Sequence, residues 1–125
     1  MRLWNGWGNE DSDLTMELSS GLSMLLEALV GTGTALPKAT LNDVISKVPN
    51  TRLENHPLII TDPETRVRHS RGQSLPDWLE MHSGNVDTFP DGVAFPESSE
   101  QVRELLAHAK ENNLVVIPYG GGTSV

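Results

Sequence analysis

No cysteine occurs among the 125 residues, so disulfides, thiolate nucleophiles and cysteine-ligated metals are excluded within this chain. Positive charge is scarce as well. Nine Lys and Arg stand against seventeen Asp and Glu, a net charge of −8 with a sequence pI near 4.8. That balance argues against a nucleic-acid backbone or an anionic membrane surface as partner. No apolar run approaches the ~20 residues that a bilayer-spanning helix needs. The first ten residues, rich in Asn, Gly and Trp, lack the apolar stretch of a secretory signal. A reducing cytoplasm fits these absences and is the expected location. His56, His69, His82 and His108 show neither HxxxH nor HxH spacing, so no metal site is expected. No Ser-His-Asp arrangement can be argued from spacing either.

What is present is one domain's worth of chain with 37% apolar residues, eleven glycines and eight prolines. Mean hydropathy is −0.30, the value of a water-soluble domain with long irregular connections. Residues 1–15 are polar and acidic and read as an irregular arm, with Trp4 and Trp7 as packing anchors. Leu18, Leu22, Leu25, Leu26 and Leu29 recur at helical spacing and Gly31 closes that pattern. Thr40 caps a second short helix with Leu41, Val44, Ile45 and Val48 on its apolar face. Residues 51–73 are rich in turn formers, with Leu58–Ile60 as a short strand. Ser74 then caps a helix with Pro76 in its first turn and Gly84 just past its end. From Pro90 onward the pattern becomes β-α-β. Gly92–Phe95 is strand-like, Ser98–Gln101 is a capping box, Val102, Leu105, Leu106 and Ala109 form a helix face, and Leu114–Ile117 is the second strand.

That second strand runs through Pro118 and Tyr119 into Gly120, Gly121 and Gly122, followed by Thr123 and Ser124. Glycine has no Cβ, so an anion can approach its N–H groups closely, and a strand followed by such a loop is a common phosphate cradle. The alternative is a flexible turn after an edge strand; the β-α-β context favours phosphate binding, to a nucleotide or a flavin. The loop is not the dinucleotide fingerprint, whose glycines are spaced G-x-G-x-x-G after the first strand. Nor is it a Walker loop, since no Gly-Lys-Ser/Thr follows. The cluster Arg66, Arg68, His69 and Arg71 could hold a phosphate or carboxylate, but a solvated turn pairing with local acids is favoured in so acidic a chain. Asp11, Asp13, Asp62 and Glu64 read as surface acids.

With these residues laid out, the chain resembles the FAD-linked oxidases of the vanillyl-alcohol-oxidase/p-cresol-methylhydroxylase type. The resemblance rests on Pro90–Pro96, Ser99–Val102 and Ile117–Ser124. Within that family it is nearest to the alkylglycerone-phosphate (alkyldihydroxyacetonephosphate) synthases and their bacterial relatives, through Trp4–Gly8 with Asp11 and Ser12, and through Arg68–Leu75. The fold implied is α/β: a helical N-terminal arm and linker over residues 1–85, then the start of an FAD-binding domain over residues 86–125. Flavin pyrophosphate contact is implied for Pro118, Tyr119, Gly120, Gly121, Gly122, Thr123 and Ser124. Thr123 stands where some members carry a flavin-linking histidine, which implies non-covalent FAD. Members are several times longer, so the chain is expected to be the front part of such an enzyme, inactive by itself, with substrate and catalytic residues elsewhere. The activity implied for the parent is acyl-to-alkyl exchange on dihydroxyacetone phosphate. Alternatives are oxidation of a 2-hydroxy acid such as glycolate or D-lactate, or a stand-alone interaction domain without catalysis. The expected partners are FAD and a small-molecule or lipid-precursor substrate; homo-oligomerisation stays open.

Overall fold

The computed structural model describes residues 2–6, 8–11 and 20–123. The expected roles of Trp7, Asp13, Leu18 and Ser124 fall outside them. Five helices are present among the described residues: α1 (Ser20–Val30), α2 (Leu41–Ile45), α3 (Pro63–Arg68), α4 (Leu75–Ser83) and α5 (Ser99–Glu111).

Short polar side chains start four of them. Thr40 accepts from the Asp43 amide while the Asp43 carboxylate accepts from Thr40 N–H, a reciprocal box that starts α2. Ser74 and Asp77 repeat it at α4, and Asp62 accepts from the Thr65 amide at α3. At α5, Ser98 accepts from the Gln101 amide, but Gln101 reaches past the cap and accepts from Glu97 N–H at 2.6 Å. Helix ends follow their chemistry too. Gly84 ends α4 in the left-handed region, φ 70°, with Ala39 Cβ only 2.6 Å from where a side chain would sit. Asn113, φ 54°, does the same after α5, letting Leu114 N–H donate back to Ala109 C=O at 2.8 Å.

The core lies between these short helices. Val44 from α2, Val67 from α3, Met81 from α4 and Val86 are buried together, with Trp4, Ala39, Leu41, Ile45, Val48 and Phe89 packed around them. At the rim, the Arg66 guanidinium is buried and donates from Nε to Pro90 C=O (2.6 Å) and from Nη1 to Pro49 C=O (2.7 Å). It thereby ties the α2–α3 connection to the segment entering residue 90. By contrast α1 buries none of its side chains; Leu29 is 74% exposed.

Of the expected β-α-β unit only the helix, α5, forms as a named element among the described residues. No named strand forms among the described residues. The backbone instead makes isolated antiparallel bridges, Ile60 to Val93 and Arg2 to Asn9. Leu58–Ile60 and Gly92–Phe95 therefore meet each other at a single bridge, and Leu114–Ile117 pairs with neither. The reason is that a strand exists only through its ladder partners. Val115 and Ile117 are 88% and 81% exposed, and no amide from Val115 to Thr123 donates to a described group.

Candidate functional site

The glycine loop rests against the segment between α3 and α4. Tyr119 hydroxyl donates to Arg71 C=O at 3.1 Å, and Gln73 N–H donates to Gly122 C=O at 2.7 Å. Arg2 guanidinium donates to Gly121 C=O at 3.2 Å. The Tyr119 ring meets the His69 ring edge-on, with centroids 5.0 Å apart, and His69 does the same to Phe95 at 5.4 Å. Two of the loop's carbonyls, those of Gly121 and Gly122, are thus taken up by the protein. Its N–H groups at Gly120, Gly121 and Gly122 meet no described acceptor.

This asymmetry fits a ligand that brings only acceptors. Phosphate oxygens at neutral pH accept hydrogen bonds, and adjacent unpartnered amides supply donors at fixed geometry. The Arg2 charge beside Gly121 adds to the attraction. The glycines differ in what demands them. Gly122 has φ 74° and packs against the Tyr119 ring, so the fold itself requires glycine there. At Gly120 an added Cβ meets nothing within 4 Å, and at Gly121 only Thr123 Cγ2 at 3.7 Å; neither has positive φ. Nothing among the described residues requires those two to lack side chains. A closely approaching ligand would.

The arginine side chains of the cluster do not converge on the loop. Arg66 is spent on Pro49 and Pro90, Arg68 pairs with Glu64 (2.8 Å) and Glu10 (3.3 Å), and His69 Nδ1 faces Thr65 C=O at 2.7 Å. Arg71 binds Glu80 at 2.7 Å and Asp87 at 3.1 Å, and also reaches the carbonyls of Ser70 and Thr88. Burial pulls the Arg71 guanidinium towards its neutral form, but Glu80 and Asp87 outweigh this and hold it above its ordinary value. Thr88 and then Arg71 keep the Asp87 carboxyl below the usual carboxylate range. Asp62 and Glu64, expected at the surface, act as the α3 cap and as the Arg68 partner. Arg2 is the loop neighbour that sequence reasoning missed, and it lies 119 residues from Gly121 with no local pattern to announce it. A surface groove of about 430 Å³, lined by Leu36, Leu75, Trp78 and Leu79, shares no residue with the loop. Among the described residues no group of three or more His, Cys, Asp or Glu is placed to hold a metal ion.

Comparison with known proteins falls on the same segment. Residues 90–125 match the FAD binding domain family. The chain is similar to alkyldihydroxyacetonephosphate synthase of Caenorhabditis elegans, 25% identical, over 98% of this chain and 25% of that protein. A mitochondrial D-lactate dehydrogenase [cytochrome] of Arabidopsis thaliana is 32% identical over 70% of this chain and 14% of its own length. A solved alkyldihydroxyacetonephosphate synthase superposes with a TM-score of 0.74 and 25% identity, covering 99% of this chain and 28% of that one. The chain thus spans about a quarter of the length of the synthases it matches.

Proposed function

Because the chain belongs, through residues 90–125, to the p-cresol-methylhydroxylase type of FAD-binding flavoenzymes, we propose that its glycine loop holds the pyrophosphate of FAD. Backbone N–H groups of Gly120, Gly121 and Gly122 are the donors, with Thr123 and Ser124 as hydroxyl donors at the rim and Pro118 and Tyr119 shaping the entry. The observation that carries this is the pair Gly120 and Gly121, which lack side chains without any demand from the protein and present amides with no described partner. Binding is non-covalent, since Thr123 offers no imidazole. FAD supplies an electron-accepting ring; this chain's share is to anchor the cofactor at its phosphates. In the same reading residues 1–85 are an arm and linker, the FAD-binding domain starts at residue 86, and Gly92–Phe95, α5 and Leu114–Ile117 take the β-α-β order of its opening.

The leading reading of the activity is acyl-to-alkyl exchange on dihydroxyacetone phosphate, supported by the similarity to the synthases. The similarity to a D-lactate dehydrogenase favours a second reading, oxidation of a 2-hydroxy acid, which would use the same FAD loop. Reduction of a dye acceptor by D-lactate would favour the second, and incorporation of a fatty alcohol into an acyl-dihydroxyacetone-phosphate substrate the first.

FAD binding itself is tested by titrating FAD into the chain, with flavin fluorescence and calorimetry as readouts, and repeating it with Gly120→Ala and Gly121→Ala. Gly120→Ala meets open space and Gly121→Ala only an ordinary contact with Thr123, so thermal stability stays unchanged while FAD affinity drops by about tenfold or more, as expected for a backbone donor site crowded by a methyl group. Equal affinity in the alanine variants would remove the loop from the site.

A further inference from the structure

The glycine loop is not free to choose its own shape: it is braced by a segment almost fifty residues upstream. We infer that Tyr119 and Arg71 are positioning residues that hold the loop in its anion-receiving conformation, an inference that rests on the FAD reading above. The family resemblance implies flavin contact for Tyr119. Here its hydroxyl points back and donates to Arg71 C=O at 3.1 Å. Its ring fills the space under Gly122, where an added side chain would strike it, and abuts His69. With the ring in place, Gly122 turns through φ 74° and offers its carbonyl to Gln73 N–H at 2.7 Å. Gly121 C=O is likewise taken, by Arg2, while the amides of Gly120 and Gly121 have no described acceptor.

Arg71 is what makes the acceptor rigid. Its side chain is largely buried and spans Glu80 on α4, Asp87, and the carbonyls of Ser70 and Thr88. Apart from Ser70, its own chain neighbour, these groups lie on α4 or on the chain leaving it, and they tie the Arg71 residue to that part of the arm. A phosphate-binding loop rich in glycine loses much conformational entropy when it orders. A strut that orders it before the ligand arrives removes that cost from binding. The side chain of Arg71 thus acts at a distance through its own carbonyl, and makes no contact with the anion.

Tyr119→Phe deletes the hydroxyl and keeps the ring, so the chain retains its fold. The Gln73 amide reports loop docking directly, because its acceptor is Gly122 C=O; the Ala39 amide, bonded to His82 C=O at 2.9 Å, reports the core. The expected result is amide exchange about tenfold faster at Gln73 with Ala39 unchanged, and FAD affinity weaker by about five- to tenfold, the loss of one neutral hydrogen bond. Arg71→Gln should move both readouts in the same direction. The double variant should bind FAD within about twofold of Arg71→Gln alone, because both act through one contact. Unchanged Gln73 exchange in Tyr119→Phe would overturn the strut. Faster exchange with unchanged FAD affinity, or losses that multiply in the double variant, would overturn its role towards the flavin. Should the parent chain bind no FAD, the flavin reading and this role fall together, while the Gln73 exchange still decides whether the strut exists.

Discussion

Arg66 and Gly84 show how far one residue's role can depart from its type. Arg66 sits in a basic run that reads as a surface turn, yet it is 2% exposed and bridges the carbonyls of Pro49 and Pro90. Prolines break local hydrogen-bonding patterns, and the part-buried bonds to the Pro49 and Pro90 carbonyls take their donor from elsewhere. Its Nη2 meets no protein acceptor, so burial of the charge is only partly offset. Arg66→Ala removes a buried side chain, leaves a cavity and leaves the Pro49 and Pro90 carbonyls without their donor, and should destabilise the chain by about 3 kcal/mol or more in urea denaturation. A loss within about 0.5 kcal/mol, the surface norm, would show the guanidinium to be dispensable. Gly84 was legible at once as a helix stop. What sequence could not show is that Ala39 packs where its Cβ would be.

At the scale of elements, caps were read more surely than strands. Thr40, Ser74 and Ser98 each start a helix where the local pattern placed one, because capping is settled within four residues. The helix α3 was missed, although Asp62, Pro63 and Glu64 spell an N-cap, a first-turn proline and a first-turn acid. Asp62→Ala should cost about 1 kcal/mol of stability, the usual worth of an N-cap, measured by thermal or urea unfolding. No change would mean that α3 is held by Val67 and Arg66 alone. Strands fared differently. Leu114–Ile117 has the β-branched composition of a buried strand, but composition cannot supply the neighbour that a ladder requires.

Over the whole molecule, carboxylates set the response to acid. Asp43, Asp62, Asp87, Asp91 and Glu100 are all held below their ordinary values: by Thr40, by Thr65, by Thr88 and then Arg71, by Arg52, and by backbone N–H with Ser98. A carboxyl whose folded pKa is depressed contributes stability that is present above its unfolded value and lost as pH falls through the folded one. The melting temperature should therefore be level from neutral pH to about 5 and fall below about pH 4, where free carboxylates titrate. Replacing Asp62 and Asp91 with Asn should flatten that acid limb. A melting temperature that held through pH 3 would show these contacts to be without weight in the folding balance.

What the sequence by itself determined was local: helix starts and stops, the glycine loop after an extended run, and the kinship with FAD-binding proteins that those motifs carry. Each depends on residues within a few positions of one another, where sterics and capping act without outside help. Only the tertiary structure decided the partners. It buried Arg66, divided the arginines among separate acids and carbonyls, and set Tyr119 on Arg71 and Arg2 on Gly121. The contacts of Arg66, Tyr119 and Arg2 join segments 17 to 119 residues apart, and no periodicity along a chain encodes which distant carbonyl a donor will find.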